Sequence, residues 1–261
     1  IPFWFSQNPG LALPLWATQN ERLFIRLKLR KFNEITYEAD INKFKIKNIR
    51  LITEIIELDV DEKQKFQNTS LEYIIEQVEF NNTIDIVRNN KNKLKINLDQ
   101  YPFVNEIIWV FTGKCFQNCV YLPNDYFNFW PCFNGQAESL NYTDHTSHSG
   151  ILLNGKYLNP KLKASYYRKI QRYQYLSTSP DMDKNIVPIT EYGKYNCIYS
   201  YSFSLKPTQV KSSGFLSTEK FNSINLNLEL IPMNYNRNLF IFQKRLNIIR
   251  IKDGYINFLN S

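Results

Sequence analysis

The amino-acid sequence predicts an all-β fold, an antiparallel sandwich or jelly roll with long loops and one or two short helices. Two observations lead to this prediction. Apolar and polar residues alternate with a period of two in several short segments, as in strands with one face in a core and one in water. Aromatic residues make up 15% of the chain, with 17 Tyr and 19 Phe, and such side chains suit a pleated, half-buried surface.

The clearest alternation marks strands that we expect to be covered on one face only. From Leu23 to Leu29 the odd-numbered positions are aliphatic, whereas the even-numbered ones are mostly basic. Such runs are too short and too strictly alternating for a helix. The strands predicted in this way are residues 23–30, 93–98, 199–205, 224–230 and 249–252.

Three further strands and two helices follow from less regular patterns. Residues 46–58, 73–80 and 106–111 are strand candidates, and the last is nearly continuous in apolar residues. A strand covered on both faces has that pattern. Residues 59–66 favour a short helix with Asp61 and Glu62 in its first turn, and residues 162–175 are a second helix candidate.

Two long polar segments separate these elements. Residues 115–153 are rich in Asn, Ser, Gly and aromatics, and residues 177–196 contain Pro180 and Pro188. A loop of this length inside a compact domain is usually functional, or else it hides a strand that the pattern does not reveal.

The first residues give no signal for membrane targeting. The chain has no uncharged apolar run long enough to cross a bilayer, and residues 1–5 lack the basic flank of a signal peptide. The sequence also begins with Ile1 rather than Met. We therefore expect the chain to be part of a longer polypeptide.

The chain is moderately basic, with 32 Lys and Arg against 24 Asp and Glu and a formal net charge of +8. Contact with nucleic acid or an acidic membrane is one interpretation. Because many of the charges alternate with apolar residues, we favour solvated strand faces. The basic residues are also spread over several strands rather than gathered in one stripe, which argues against a nucleic-acid binder.

The four cysteines indicate thiols rather than a disulfide framework or a metal site. Four cysteines are few for a disulfide-stapled chain of this length. Cys115, Cys119 and Cys132 lack the tight paired spacing of zinc ligands, and Cys197 is remote from them. We expect structural thiols in a reducing compartment.

The sequence predicts no catalytic, cofactor-binding or metal-binding residue. His145 and His148 are the only histidines, and they lie in a polar stretch. A metal site or a Ser–His pair is conceivable there, but a catalytic base needs a rigid scaffold. We expect a solvated loop.

Other polar motifs have equally simple interpretations. The acidic cluster at Asp59, Asp61 and Glu62 lacks the Gly of a calcium loop, so an exposed helix start is expected rather than a calcium or acid–base site. With only eight Gly, the chain has no Gly-rich phosphate loop. Acceptor sequences for N-glycosylation occur at Asn68, Asn81 and Asn141, but such triplets arise often by chance in an Asn-rich chain.

Several blocks, in the same order along the chain, resemble one protein family, the double-jelly-roll major capsid proteins of nucleocytoplasmic large DNA viruses. Together the blocks span nearly the whole chain, and the ordered set is more specific than any one of them. The matching blocks are IPFWFSQNPGLALPL (1–15), ELDVDEKQKF (57–66), LEYIIEQV (71–78), NEIIWV (105–110), LNGK (153–156), YSYSFSLKP (199–207), SSGFLS (212–217) and LNIIRIKDG (246–254).

This resemblance implies a fold and a function. Residues 16–261 would form the second of two jelly rolls, and residues 1–15 would connect it to the first. The protein would be a structural major capsid protein and not an enzyme, assembled in the host cytoplasm as homotrimers that form pseudo-hexagonal capsomers of an icosahedral virion. Its partners would be neighbouring capsomers and minor capsid proteins. No direct nucleic-acid contact is expected, and contact with an inner membrane is left open.

Two aromatic clusters carry more specific hypotheses. Phe3, Trp4 and Phe5 are expected to pack between the two jelly rolls, so deletion of residues 1–5 should destabilise the two-domain protein. Phe127, Phe129 and Trp130 in the long polar segment fit an interface between subunits. They fit packing on their own sandwich equally well.

Two alternatives stay open at this point. A carbohydrate-binding or hydrolytic β-sandwich would use exposed aromatics beside a carboxylate, and the segment from Tyr126 to Trp130 next to Asp125 offers both. The other alternative is a minor capsid protein built on the same jelly roll.

Overall fold

The fold is described by a computed structural model, which covers residues 3–6, 8–29, 46–90, 92–113, 129, 144–176, 197–209, 212–233 and 235–259. Its strands, in chain order, are β1 (Leu71–Phe80), β2 (Ile84–Ile86), β3 (Lys93–Asn97), β4 (Val104–Gly113), β5 (Thr146–Leu153), β6 (Lys156–Tyr157), β7 (Leu162–Lys163), β8 (Ile198–Ser202), β9 (Ile224–Leu230), β10 (Arg237–Lys252) and β11 (Tyr255–Phe258).

Helices are few and short in this part of the chain. Helix α1 spans Val60–Asn68, a π-helical turn spans Tyr166–Ile170, and helix α2 follows it at Gln171–Tyr175. Short 3-10 turns lie at Trp4–Ser6, Pro9–Leu11, Leu15–Ala17 and Thr218–Lys220. Among the described residues, no helix combines the length and apolar character needed to cross a membrane.

The strands form two antiparallel sheets with a jelly-roll order. One sheet runs β1-β10-β4-β8, with β2 and β11 also pairing to β10, and the other runs β3-β9-β5-β6, with β7 pairing to β5. Successive long strands therefore alternate between the sheets: β3, β5 and β9 lie in one, and β1, β4, β8 and β10 in the other. This confirms the predicted antiparallel jelly-roll sandwich.

The described residues fall into two compact units. The first holds those up to Glu76 together with those from Leu246 onward, and the second holds those from Gln77 to Arg245. The second unit contains the main core, in which residues from both sheets interleave. Its fully buried members include Ile107, Trp109, Phe111, Tyr199, Leu226, Leu228, Leu239 and Ile241.

The first unit has a smaller core of its own. Ala17, Ile75, Ile249 and Ile251 are buried there, and Trp4, Leu71, Tyr73 and Ile256 pack against them. The ring of Trp4 lies 5.4 Å from the ring of Tyr73. This contact does not test the hypothesis that residues 3–5 pack between two jelly rolls. It shows that Trp4 packs against Tyr73 within the first unit.

Two tight hairpins set the register of their strands. Asn154 and Gly155 both have positive φ, of 50° and 78°, and join β5 to β6. Asp253 and Gly254, at 53° and 85°, join β10 to β11 in the same way. Asn-Gly and Asp-Gly suit such type I′ turns, because Gly adopts positive φ without strain and Asn or Asp tolerate it.

Most of the predicted strands are confirmed. The predictions at 93–98, 199–205 and 224–230 correspond to β3, β8 and β9, and that at 249–252 is the end of the longer β10. Those at 73–80 and 106–111 correspond to β1 and β4. The helix predicted at 59–66 is α1, whereas residues 162–175 form β7 before the helical turns begin.

Two expectations are wrong for the described residues. Residues 23–29 and 46–58, predicted as strands, carry no strand pairing, because alternation specifies two faces but supplies no neighbouring strand. The polar segment 115–153 hides a strand, which is one of the two possibilities given for it, because its last residues form β5. Residues 177–196 lie outside the described part of the chain.

Candidate functional site

A buried polar cluster occupies the start of β5 and involves residues far apart in the sequence. Asp144 accepts hydrogen bonds from the Arg168 guanidinium, at 2.7 and 3.3 Å, and from the Tyr199 hydroxyl at 3.2 Å. The backbone N–H of His145 donates to the Tyr199 hydroxyl oxygen at 3.1 Å. We call Asp144, His145, Arg168, Tyr199 and Arg237 the His145 cluster.

Arg237, at the start of β10, is 1% exposed and has hydrogen-bond acceptors around its guanidinium. One terminal nitrogen lies 3.1 Å from both Nδ1 and the backbone oxygen of His145. The other donates to the backbone oxygen of Ile231 at 2.7 Å. The ring of Phe111 stacks on the His145 imidazole at 4.8 Å and lies 5.3 Å from the guanidinium carbon.

These contacts fix the proton of His145 on one nitrogen. A guanidinium only donates hydrogen bonds, so Nδ1 of His145 must accept from Arg237. The proton therefore lies on Nε2, which is 3.1 Å from the backbone oxygen of Phe129. Both ring nitrogens are engaged, and neither is available to a substrate.

Burial shifts the pKa values of several side chains in this region in the direction that favours their neutral forms. Desolvation, followed by the charge of Arg237, lowers the pKa of His145 to about 3. Desolvation raises the pKa of Cys197 to about 12 and that of Tyr199 well above its usual value. An imidazole that stays neutral and a thiol that stays protonated suit neither acid–base nor nucleophilic catalysis at neutral pH. The hydrogen bonds of the cluster connect the start of β5 with Tyr199 of β8 and with Arg237 of β10.

The expectation of a solvated loop around the histidines is wrong for His145, which is 0% exposed. The polar pattern suggested a solvated loop, but its polar groups form hydrogen bonds within the protein interior. Thr146 and Ser149 are buried and their hydroxyls lie 3.3 Å apart, and the Tyr167 hydroxyl donates to the Ser149 backbone oxygen. Buried polar groups persist when they are paired in this way.

His148 instead lies on the outer face of the second sheet, in β5. Its Nδ1 is 3.5 Å from the carboxylate of Glu229 in β9. The same carboxylate accepts from Lys161 at 2.8 Å and lies 3.6 Å from Lys93. The hydrogen bond from Lys161 is the main reason why the pKa of Glu229 is lowered. Among the described residues, no group of three or more His, Cys, Asp or Glu could hold a metal ion.

The acidic cluster at 59–62 begins helix α1, as predicted. Asp59 is the N-cap, and its carboxylate accepts from the backbone N–H of Glu62 at 2.8 Å. The Glu62 carboxylate accepts in return from the backbone N–H of Asp59 at 3.3 Å. This reciprocal capping box satisfies two helix-terminal donors and explains the cluster structurally.

Two of the three acceptor sequences for glycosylation lie in very different surroundings. Asn68 is exposed at the end of α1, whereas Asn81 is 6% exposed. The Asn81 side chain donates to the Asp99 carboxylate at 3.0 Å and accepts from Gln243 at 3.1 Å. Asn81 is therefore a structural residue, and Asn141 lies outside the described residues.

Several other candidate residues lie outside the described part of the chain, namely Cys115, Cys119, Cys132, Asp125, Tyr126, Phe127 and Trp130. Arg168 and Arg237, which hold the His145 cluster, were not predicted. Arg237 lies 92 residues from His145 in the sequence, and a local sequence pattern does not predict a contact between residues so far apart.

The first unit has many exposed aliphatic side chains, in residues 23–29 and 46–56. Leu23, Ile25, Leu27 and Leu29 are each between 45% and 54% exposed. The other exposed aliphatic residues, between 56% and 93%, are Ile46, Ile49, Leu51, Ile52, Ile55 and Ile56.

Comparison with known proteins gives a consistent match. The family model described as "Large eukaryotic DNA virus major capsid protein" matches residues 62–256. The "Major capsid protein" of Pyramimonas orientalis virus is 28% identical over 97% of this chain and 58% of its own length. That of Paramecium bursaria Chlorella virus 1 is 25% identical over 87% of this chain and 52% of its own length.

A solved structure, "PBCV-1 virus capsid, quasi-atomic model", has a similar fold. It matches 78% of this chain and 55% of its own chain, with a TM-score of 0.56 and 21% identity. The present chain thus spans about half the length of the relatives that it matches, 58% and 52% of the two named above.

Proposed function

The chain belongs to the family of major capsid proteins of large eukaryotic DNA viruses, and we propose that it is a shell-building subunit of such a virus. In this proposal three copies of the intact gene product form a pseudo-hexagonal capsomer, and capsomers assemble into an icosahedral capsid. Residues 1–15 connect the sandwich to a preceding jelly roll.

The observation that supports this role best is the construction of the sandwich interior. Its core is filled by aromatic and aliphatic residues, and among the aromatic ones Trp109 and Phe111 are both 0% exposed. The polar groups at the start of β5 form hydrogen bonds with one another. Burying each large apolar side chain contributes about 1.5–3 kcal/mol, so such a core gives a rigid block for assembly.

The proposal includes a non-enzymatic role in the virion after assembly in the host cytoplasm. The partners would be identical subunits, neighbouring capsomers and minor capsid proteins. The lowered pKa of His145 in the cluster and the raised pKa of the neighbouring Cys197 support a role without catalysis in this region. Fold alone does not determine function, so the assembly state has to be measured.

Size-exclusion chromatography with light scattering on the intact gene product tests the proposal. We expect a stable particle with the mass of three subunits. A monomer that hydrolyses or specifically binds a glycan, and loses this activity in an Asp125→Ala, Trp130→Ala double variant, would contradict it. Quantifying the protein in purified particles separates a major from a minor capsid protein, because only the former is among the most abundant components.

A further inference from the structure

Strand β3 is the end strand of the second sheet, and one of its edges is open. In the part of the chain that the structure describes, β9 is the only strand that pairs with β3. The backbone N–H of Leu98, the residue after the strand, donates to the backbone oxygen of Ile224 at 2.9 Å. Because the direction of the backbone groups alternates along a strand, the N–H and C=O groups of Lys93, Lys95 and Asn97 point away from β9.

Two other strands of the sandwich have edges that are closed. Strand β5 pairs with β6 and β7 on the side away from β9. In β8, the end strand of the other sheet, the backbone N–H of Ser202 donates to the side chain of the buried Gln171 at 3.1 Å. An edge that stays open, as in β3, is a template on which another extended chain can pair.

The two faces of β3 offer different chemistry to such a chain. Leu94 and Ile96 are half-buried and pack against the main core. Lys93 and Lys95 are exposed on the outer face of the sheet. A strand added at this edge would therefore extend the core on one face and meet two lysines on the other.

The positive charge of this outer face is only partly compensated. The carboxylate of Glu229, across from Lys93 in β9, accepts from Lys161 at 2.8 Å and lies 3.6 Å from Lys93. Lys95 lies across from the neutral Asn227, and no carboxylate of the described residues forms an ion pair with it. An Asp or Glu directly across the open edge from Lys95 would be stabilising.

The same lysines disfavour a second copy of β3 as the partner. Antiparallel self-pairing centred on Lys95 would set this residue directly across from Lys95 of the other copy, and like charges in that position are destabilising. Lysines on an end strand commonly prevent pairing between identical edges in this way. The charge of β3 therefore selects a partner strand of opposite charge.

We propose that the open edge of β3 is a docking site for an extended acidic segment of a partner polypeptide, which adds to the second sheet as a further strand. The segment alternates apolar residues, which cover Leu94 and Ile96, with Asp or Glu, which face Lys93 and Lys95. In this mode of recognition main-chain hydrogen bonds supply affinity, and alternate side chains supply selectivity. The inference goes beyond the capsid proposal and does not require a trimer.

Hydrogen exchange of individual amides, measured by NMR on the 261-residue chain, tests the inference with two synthetic peptides. One peptide alternates Val with Glu, and the other alternates Val with Lys. At saturation we expect the Val–Glu peptide to slow the exchange of the Lys93, Lys95 and Asn97 amides at least about 10-fold. The amides of Leu94 and Ile96, which already face β9, should change far less. The Val–Lys peptide should leave all five amides unchanged.

A charge reversal gives a second readout, the dissociation constant from titration calorimetry. Lys95→Glu should weaken binding of the Val–Glu peptide by about 10-fold and allow the Val–Lys peptide to bind. Lys163→Glu is the matched control, because it makes the same change in β7, at the opposite edge of the same sheet. It should leave both affinities unchanged.

A proline substitution tests the backbone contribution separately. Asn97→Pro removes one outward N–H without changing the charge, and an end strand tolerates proline where its N–H points away from the sheet. This variant should bind the Val–Glu peptide more weakly than the wild type. If Asn97→Pro does not fold, the charge reversal at Lys95 still decides.

Three results would overturn the inference. They are the absence of binding by either peptide, equal binding of the two peptides, and protection of the Lys93, Lys95 and Asn97 amides without peptide as concentration and mass by light scattering rise together. The last result would identify a second copy as the partner. A trimeric gene product whose β3 edge binds neither peptide would contradict this inference alone, and a monomeric one that binds the Val–Glu peptide would contradict the capsid proposal alone.

Discussion

Nδ1 of His145 lies 3.1 Å from a guanidinium nitrogen of Arg237 inside the sandwich, and both side chains are buried. A neutral imidazole accepts this hydrogen bond, whereas an imidazolium would set a second positive charge against the guanidinium. The contact ties the start of β5 to the start of β10, two strands that lie in different sheets. The stability of the sandwich should therefore depend on the protonation state of His145.

The first prediction concerns acid. The folded pKa of His145 is about 3, against 6.5 for the unfolded chain. Its stabilising contribution is therefore complete above pH 6.5 and is lost as the pH falls from 6.5 toward 3. Urea unfolding at pH 7 and pH 4.5 should show that the advantage of the wild type over His145→Gln shrinks by roughly 2–3 kcal/mol.

His148→Gln is the control, because this residue lies three positions after His145, in β5, but on the outer face of the sheet. The advantage of the wild type over His148→Gln should not shrink between the two pH values, because this imidazole faces the Glu229 carboxylate rather than a guanidinium. Parallel pH dependences of the wild type and His145→Gln would contradict the prediction.

The second prediction compares two arginines of β10. Arg237→Met removes the donor to the backbone oxygens of His145 and Ile231, and buried acceptors without a partner are costly. We expect the free energy of unfolding to fall by about 3 kcal/mol. Arg250→Met removes a half-exposed ion pair with Glu72 and should cost less than about 1 kcal/mol. Equal losses in chemical unfolding would show that Arg237 is not a structural anchor.

The third prediction concerns Asn81. Asn81→Gln displaces an amide that bridges Asp99 and Gln243 in a buried site, so it should destabilise the chain by about 2 kcal/mol. Asn68→Gln removes an exposed acceptor sequence and should change the stability by less than about 0.5 kcal/mol. Thermal unfolding of the two variants checks this, and a neutral Asn81→Gln would mean that the bridge adds nothing.

The fourth prediction concerns the core of the first unit. Trp4→Ala removes a ring that packs against Tyr73 and the buried residues around Ile75. We expect a loss of about 2–3 kcal/mol, seen as faster hydrogen exchange of the peptide that covers Leu71–Glu76. Phe24→Ala, at a side chain that is 83% exposed, should leave this peptide unchanged in the 261-residue chain. Unchanged exchange in Trp4→Ala would refute the packing role of Trp4.

The sequence predicted the sandwich because its strands carry their signal locally. In β9 the alternation of Ile224, Leu226 and Leu228 with polar residues gives the strand and its buried face. The capping box of α1 was readable for the same reason, because Asp59 and Glu62 are three residues apart.

Features that depend on distant partners were not readable. The polar stretch around His145 predicts a loop, and only Arg237, Tyr199 and Phe111 make it a buried strand start. Conversely, the alternation in residues 23–29 predicts a strand, but the partner that would make it one is not among the described elements. Local pattern encodes which face is apolar, and tertiary contacts decide whether that face is covered.

Electron microscopy of the purified intact gene product tests the central claim most directly, since it shows whether sandwiches of this kind fit against copies of themselves. The account predicts uniform particles of three subunits with a pseudo-hexagonal outline, in which the jelly roll described here is recognisable in each subunit. Single isolated subunits at concentrations well above those of the chromatography experiment would contradict it.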